Sequence, residues 1–227
     1  MEATILLAQH PPGADATWLP RSLVGLAQRF RDARVRLLVA DADAQVAAGV
    51  RHAPPPASFD TVLLIERVKS RWSTAPPPSE TQQDDALRWL AGARGHRATL
   101  RELLARSSPL RVGQRSPGLV FVAATVRAPH LAPAEFDAYW RDRHAPLALR
   151  HHAGLCGYEQ LVVSGALTAR STPLDGLALL HFPSHAAFAE RFYDSDAGRA
   201  VIAEDTRRVL DLSRCEAALM SEYGVRS

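Results

Sequence analysis

The sequence predicts an α+β protein in which two βαββαβ halves pack sheet to sheet. Apolar strand-like runs and helical apolar periodicity occur in this order twice along the chain. A βαββαβ unit carries both helices on one face of its sheet, so the opposite apolar face and two edge strands need cover. Two such sheets facing each other solve both problems. We therefore expect an eight-stranded α+β barrel within one chain, or alternatively one formed between two chains.

The first half, residues 1–116, shows strand and helix signals separated by two proline runs. β-Branched and leucine-rich segments predict strands, and apolar residues spaced three to four apart predict helices. Pro54–Pro56 and Pro76–Pro78 mark loops, because proline fixes φ and lacks an N–H group. The predicted elements are a strand over 4–9, a helix over 17–33, strands over 34–39 and 61–68, a helix from 79 to about 106 and a short strand over 110–114.

The second half, residues 117–227, repeats the order with clearer signals. Its first strand is a nearly unbroken apolar run, and Pro133 suits the first turn of the following helix. Pro173 to Gly176 indicates a turn between the two middle strands. The predicted elements are a strand over 119–126, a helix from 133 to at least 144, strands over 158–164 and 177–182, a helix from 184 to about 212 and a strand over 216–223.

The composition is that of an ordinary globular protein, with 47% hydrophobic and 22% charged residues. The net charge is only +3, and basic and acidic residues are interspersed, so the sequence shows no basic cluster of the kind that binds nucleic acid. The short apolar run after Met1 has no basic flank, which predicts a cytoplasmic protein without a membrane span. Neither the two cysteines nor the histidine spacing matches a metal motif, so we expect no metal.

The segment 136–147, FDAYWRDRHAPL, closely resembles the signature FxxYWxxxHxP of the EthD family. Further similarities follow in the family's order: Gly157 to Gln160 at a strand, Asp175–Gly176 at a turn, and Phe182–Pro183–Ser184 at a strand exit. The resemblance covers roughly residues 118 to 224. It implies the dimeric α/β-barrel fold, built from ferredoxin-like units, with a ligand cavity inside the sheet. Relatives of this kind include cofactor-free oxygenases, decarboxylases and polyketide cyclases.

His144 is the candidate catalytic residue, because it lies in the motif and two residues before Pro146. Proline disfavours helical geometry at Ala145, so we expect the helix to break or kink and the imidazole to turn toward the cavity. A neutral ring there could accept a proton from a phenol or an activated carbon. The alternative is a helix-end histidine that contacts terminal carbonyls. Asp205, on a predicted helix with core residues, is a candidate carboxylate partner.

Five further residues are candidate contacts for the substrate. Tyr139 and Trp140 belong to an aromatic stripe that is ordinarily core. Tyr158 and Gln160 share one side of a strand, as a structural pair or as ligand contacts. His181 shares a face with Leu177 and Leu179, which leaves open whether it points into the cavity or toward the helices.

These residues predict a cofactor-independent enzyme of aromatic or polyketide metabolism, of the monooxygenase, decarboxylase or cyclase type. Its partner would be an apolar or aromatic small molecule, with no nucleic acid and no membrane, and a homodimer is possible. The alternative is a non-catalytic binding or auxiliary protein. A cavity with converging histidine and tyrosine groups favours chemistry, whereas an apolar cavity without them favours carriage.

Overall fold

A closed antiparallel barrel of eight strands, surrounded by helices, forms the framework of the computed structural model. The structure describes residues 1–10, 18–45, 57–66, 85–107 and 109–226. The strands are β1 (Glu2–Ala8), β2 (Arg34–Val39), β3 (Thr61–Glu66), β4 (Arg94–Leu104), β5 (Leu119–Thr125), β6 (Gly157–Ala166), β7 (Gly176–Phe182) and β8 (Glu216–Arg226).

The barrel closes within the single chain, as the sequence predicted. Around the barrel the strand order is β1-β3-β2-β8-β5-β7-β6-β4. The first four strands are therefore ordered β4-β1-β3-β2, and the last four follow the same scheme as β8-β5-β7-β6. Antiparallel pairing of β2 with β8 and of β4 with β6 joins the two halves. Closure leaves neither half with a free sheet edge.

Helices cover the outside of the barrel. They are α1 (Trp18–Arg29), α2 (Ala42–Gln45), a 3₁₀ helix (Asp85–Gly92), α3 (Pro133–Tyr139), a π-helical turn (Trp140–His144), α4 (Ala145–His151), α5 (His185–Arg191) and α6 (Asp196–Val209). Ser184 and Ser195 cap α5 and α6, because each side chain accepts a hydrogen bond from a backbone N–H in the first turn. The predicted helix over 184–212 is thus two helices.

Strand side chains alternate between the barrel interior and the helical layer. The interior contains one apolar cluster with a member from every strand, including Ile5, Leu38, Leu64, Leu100, Val122, Leu161, Leu179 and Met220. The opposite faces pack against helices. In the second half this outer core includes Phe136, Trp140, Phe188 and Phe192, and in the first half it includes Leu26 and Trp89.

The predicted helix from 79 to about 106 is wrong for residues 94–104, which form β4. Its Ala, Leu, Arg and Glu content favours a helix, but pairing with β1 on one side and β6 on the other outweighs that preference. Burial alternates accordingly, with Arg97 and Thr99 exposed and Ala98 and Leu100 buried. The predicted strand over 110–114 is also wrong: Val112 makes only an isolated bridge to Gly224. Residues 79–84 lie outside the described part.

Candidate functional site

The segment 133–151, here called the motif helix, runs without interruption through α3, the π turn and α4. The helix was predicted to break or kink before Pro146, and the break is wrong, since Ala145 has helical angles of φ −61° and ψ −45°. The irregularity here is the π turn. The N–H of Ala145 donates to the carbonyl of Trp140, five residues earlier. This wider turn lets the chain absorb a residue without an N–H group while it remains helical.

His144 lies at the end of the π turn and bonds to a carboxylate on α6. Its Nδ1 is 2.7 Å from Oδ2 of Asp205. The other oxygen of Asp205, Oδ1, accepts a hydrogen bond of 2.7 Å from the hydroxyl of Tyr139. His144 and Asp205 side chains are only 14% and 8% exposed, respectively. The structure thus brings together the predicted catalytic histidine, one predicted substrate contact and the candidate acid.

Burial and hydrogen bonding shift the pKa values of Asp205 and Tyr139 in this cluster. Burial would raise the pKa of Asp205, but hydrogen bonds from His144 and Tyr139 bring it below its usual value. Burial raises the pKa of the Tyr139 hydroxyl, and its bond to Asp205 raises it further. The carboxylate of Asp205 accepts a hydrogen bond from Nδ1–H of His144. In the tautomer with its proton on Nδ1, the ring carries a lone pair on Nε2, which is the arrangement of a general base.

The cluster lies in the helical layer, between the motif helix and α6. The expectation that His144 opens onto a cavity inside the barrel is therefore wrong. The motif helix covers the outer face of the sheet, and its helical geometry carries the imidazole toward α6. Trp140 is 1% exposed and stacks on Phe136, with ring centroids 5.3 Å apart. Its ring lies against β7, where Gly176 leaves room for it.

Tyr158 and Gln160 lie side by side on β6, facing the motif helix. The side-chain amide of Gln160 donates to the Trp140 carbonyl at 3.2 Å and to the Tyr158 hydroxyl at 3.0 Å. Arg101 on β4 donates to the amide oxygen of Gln160 at 3.1 Å. Burial raises the pKa of the Tyr158 hydroxyl, so it stays protonated. This pair supports the carbonyl at which the π turn begins.

His181 points into the barrel, which answers the question that periodicity left open. Its Nε2 is 3.0 Å from Glu159 Oε2, and its Nδ1 is 3.3 Å from Arg106 Nη2. It belongs to a buried ion network centred on Arg36. Nη1 of Arg36 lies 2.7 Å from Glu159 and 3.1 Å from Glu222, and its Nε lies 2.5 Å from Glu66.

Sequence reasoning missed this network, although a signal was available. Arg36 shares strand parity with Leu38, and Glu222 shares it with Met220, so each charge falls on an inward-facing position. Burial disfavours the charge on Glu159, but the nearby Arg36 lowers the pKa of that carboxyl well below its usual range. Burial likewise disfavours the charge on Arg36, and the carboxylates around it raise its pKa. The groups are held as ions.

A cavity of about 270 Å³ lies at the other end of the barrel, where β8 begins. Arg94, Leu174 and Glu216 are among its lining residues. Glu216 and Glu222 are separated along β8 by about 20 Å at strand spacing, so the cavity and the ion network occupy different ends. None of the predicted site residues lines this cavity.

The described ranges contain neither a candidate metal site nor a helix suited to spanning a membrane. No three His, Cys, Asp or Glu residues there are arranged to hold a metal ion. No helix of that part of the chain is long and apolar enough to cross a membrane. Cys156 and Cys215 are both free thiols.

Known proteins resemble this chain in fold and, in its second half, in sequence. A structure described as an anthrone oxidase-like protein aligns with a TM-score of 0.58 and 11% identity, over 100% of this chain and 93% of that one. A structure described as a "putative monooxygenase" from Lactobacillus acidophilus aligns with a TM-score of 0.49 and 7% identity, over 99% of this chain and 93% of that one. No curated protein matches the sequence. The EthD domain model matches residues 128–213. The resemblance of the C-terminal half to the EthD family is thereby confirmed.

Proposed function

We propose that this protein is a cofactor-independent enzyme of aromatic or polyketide metabolism in which His144 is the general acid/base. The observation that carries the proposal is the hydrogen-bonded series Tyr139–Asp205–His144. A carboxylate fixed on Nδ1 orients the ring, selects the tautomer with a free lone pair on Nε2 and stabilises the imidazolium formed after proton transfer. A tyrosine that holds the second carboxylate oxygen keeps the acid in place.

The proposed step is the transfer of one proton from a phenol or an activated carbon acid of the substrate to Nε2 of His144. Asp205 remains ionised and stabilises the positive ring. The proton returns to the product from the same nitrogen, so the enzyme is unchanged after each turnover. Decarboxylation and cyclisation of polyketide-like compounds can begin with such a proton transfer, and so can oxygenation when molecular oxygen is the co-substrate that oxidises the resulting anion.

The comparisons support the choice of substrate class. The anthrone oxidase-like structure shares the fold over 93% of its own length, and anthrone is a polycyclic aromatic ketone with an acidic carbon position. The repeated strand order of the two halves supports a finer interpretation of the fold, in which both are ferredoxin-like units and the first has diverged from the EthD pattern.

The test compares His144→Gln with a matched variant, His151→Gln. His151 lies on the same helix, is similarly buried at 13% side-chain exposure, and has its own carboxylate partner, Asp194, at 3.0 Å. Turnover of phenolic and anthrone-like substrates would be followed by product chromatography and oxygen uptake. We expect His144→Gln to lower kcat by about 10²–10⁴-fold, with ligand affinity nearly unchanged, and His151→Gln to retain the wild-type rate.

Two further variants separate catalysis from packing. Asp205→Asn should lower kcat because the proton of His144 is then no longer fixed on Nδ1. Tyr139→Phe should have a smaller effect, because it removes only the hydrogen bond that orients the Asp205 carboxylate. The circular dichroism spectrum of each variant should first be compared with that of the wild type. This control is needed because loss of a hydrogen bond to a charged group costs about 1.5–3 kcal/mol of stability. Equal turnover in His144→Gln and His151→Gln would assign the cluster to helix packing alone.

One observation favours a second candidate function, that of a non-catalytic small-molecule-binding or auxiliary protein. The cavity at the barrel end has neither histidine nor tyrosine in its lining, and apolar side chains form much of its wall. Such a cavity is suited to holding a compound without transforming it. Under this alternative, ligands bind at the barrel end and every His144 variant is as active, or as inactive, as the wild type.

A further inference from the structure

The barrel-end cavity combines apolar walls with an excess of positive charge. Apolar surface comes from two strands, through Leu7 on β1 and Ala124 on β5, and from Val126 and Leu174 outside the strands. Arg94, Arg214 and Glu216 are the charged residues of the lining, so the formal charge of the lining is +1. Its volume of about 270 Å³ is slightly below that of typical drug-sized sites. A ligand that fills it would have about the size of one substituted ring.

Arg94 presents a donor that has no acceptor within the described residues. Its Nη1 donates to Thr172 Oγ1 at 2.9 Å and to Glu216 Oε1 at 3.0 Å, and its guanidinium lies 5.8 Å from the ring centroid of Phe59. Its Nη2 is buried and makes no hydrogen bond there. A buried N–H group of a charged side chain is costly to leave unpaired. The hydrogen bonds of Nη1 and the ring of Phe59 hold the guanidinium in place, and Nη2 is left for a further acceptor.

Glu216 does not supply that acceptor, because its hydrogen bond with Arg94 is made to Nη1 and its other oxygen faces Ser58. Oε1 accepts from Arg94, while Oε2 accepts from the Ser58 backbone N–H at 2.7 Å and from its hydroxyl at 2.5 Å. Burial would raise the pKa of this carboxyl, but the bonds from Arg94 and Ser58 bring it below its usual value. Glu216 is therefore an anion that balances one arginine and leaves the other unbalanced.

A second buried polar group without a hydrogen-bond partner among the described residues, the imidazole of His96, lies on the same strand as Arg94. His96 is the next inward-facing residue after Arg94, pairs with Ile5 on β1 and is only 2% exposed. Its Nε2 has no hydrogen-bond partner among the described residues. Burial and then the charge of Arg94 lower the pKa of His96, so the ring is neutral and does not alter the charge balance.

We propose that the barrel end is a binding site for a small aromatic carboxylate, whose anionic group pairs with Nη2 of Arg94 and whose ring contacts the apolar wall. One monoanion neutralises the lining and supplies an acceptor for Nη2, and such a charge-assisted hydrogen bond is stronger than one between neutral groups. This site is separate from the His144 cluster and does not rest on the proposed catalytic role.

The test is calorimetric titration of the full chain with benzoate and phenylacetate, and with benzamide as a neutral analogue of similar size. We expect the two acids to bind and benzamide to bind at least about tenfold more weakly. Arg94→Gln should weaken benzoate binding by about 10- to 100-fold, in line with the loss of a hydrogen bond to a charged group. Arg97→Gln is the matched control, because Arg97 lies on the same strand but is exposed on the outer face.

A variant that is expected to bind benzoate more tightly distinguishes a change at the site from partial unfolding, which could only weaken binding. Glu216→Gln removes the negative charge from the lining, so benzoate should bind severalfold more tightly while the protein itself gains nothing in stability. Arg214→Gln, at an exposed arginine, should weaken binding without affecting the fold. The proposal is overturned if benzamide binds as well as benzoate, if neither acid binds, or if folded Arg94→Gln and Glu216→Gln both bind like the wild type.

Discussion

His152 is a buried histidine whose ring is held by one hydrogen bond and two aromatic neighbours. It is 5% exposed, and its Nδ1–H donates to the Phe192 carbonyl at 2.6 Å. Its ring stacks on Tyr193 with centroids 5.1 Å apart. Burial lowers the pKa of His152 from 6.5 to about 4, although the Phe192 carbonyl acts in the opposite direction. The ring is therefore neutral in the folded protein over most of the acidic range.

This pKa shift predicts acid sensitivity. Between pH 6.5 and about 4 the unfolded chain binds a proton at His152 and the folded chain does not, so the free energy of unfolding falls as the pH is lowered through this window. The loss should be about 3 kcal/mol at one site. Urea unfolding at pH 7 and pH 4.5 would measure most of this loss. His152→Gln should reduce the difference between the two pH values, whereas His130→Gln, at an exposed position, should leave it unchanged.

The motif helix and β7 meet where the large ring of Trp140 lies over Gly176. A Cβ placed on Gly176 would be 2.4 Å from Cζ3 of that ring, far inside van der Waals contact. The preceding Asp175 accepts a hydrogen bond of 2.9 Å from the backbone N–H of Arg127 and pairs with its guanidinium, which fixes the start of the strand. The Asp–Gly turn and the tryptophan of the motif are thus two parts of one packing unit.

Gly176→Ala should accordingly destabilise the protein. The ring is 1% exposed and enclosed by the outer core, so it cannot move away freely, and overpacking of this kind costs about 1–3 kcal/mol. Gly165→Ala on β6 is the control, because its added Cβ would meet nothing within 4 Å. Thermal unfolding of both variants would test the difference. A Gly176→Ala protein as stable as Gly165→Ala would contradict the packing described here.

Across the whole molecule, the Arg36 network connects both halves inside the barrel. Arg36 on β2 and Glu66 on β3 belong to the first half, and Glu159 on β6 and Glu222 on β8 belong to the second. Arg106, which follows β4, pairs with Glu222 and contacts His181. The centre of the barrel interior is otherwise apolar, so the charges of this network are compensated mainly by one another rather than by water.

Removing the central cation should be costly for the barrel. Arg36→Met leaves three buried carboxylates with a smaller compensating charge, and breaking a buried ion pair in this way costs about 3–5 kcal/mol. Arg34→Met is the matched control, because that side chain is 37% exposed and its pair with Glu66 spans 3.3 Å. It should cost at most about 1 kcal/mol. Urea unfolding would distinguish the two, and equal small losses would show that the network contributes little to stability.

The sequence by itself determined the positions of several short strands and the helical structure of the motif segment. The run Arg34–Val39 forms β2 within the predicted bounds, and the strands at 119, 158 and 177 begin within one residue of their predicted starts. The strands that begin at 119 and 176 are predictable because burial on both faces favours nearly unbroken apolar runs. The strands that begin at 34 and 157 were predicted from their β-branched and leucine-rich parts, although each also carries a buried charge, Arg36 or Glu159. The aromatic spacing of the motif likewise requires one helical face. The element order then predicted the barrel.

Tertiary structure alone decided β4, the course of the helix through Pro146 and the position of His144. Residues 94–104 prefer a helix locally and become a strand because two neighbouring strands pair with them. The helix continues past Pro146 because a π turn removes the conflict that local geometry predicted. His144 faces Asp205, 61 residues away in sequence, and the buried ions come from both halves. Local sequence encodes local preference, whereas contacts between distant residues depend on the register in which the strands close the barrel.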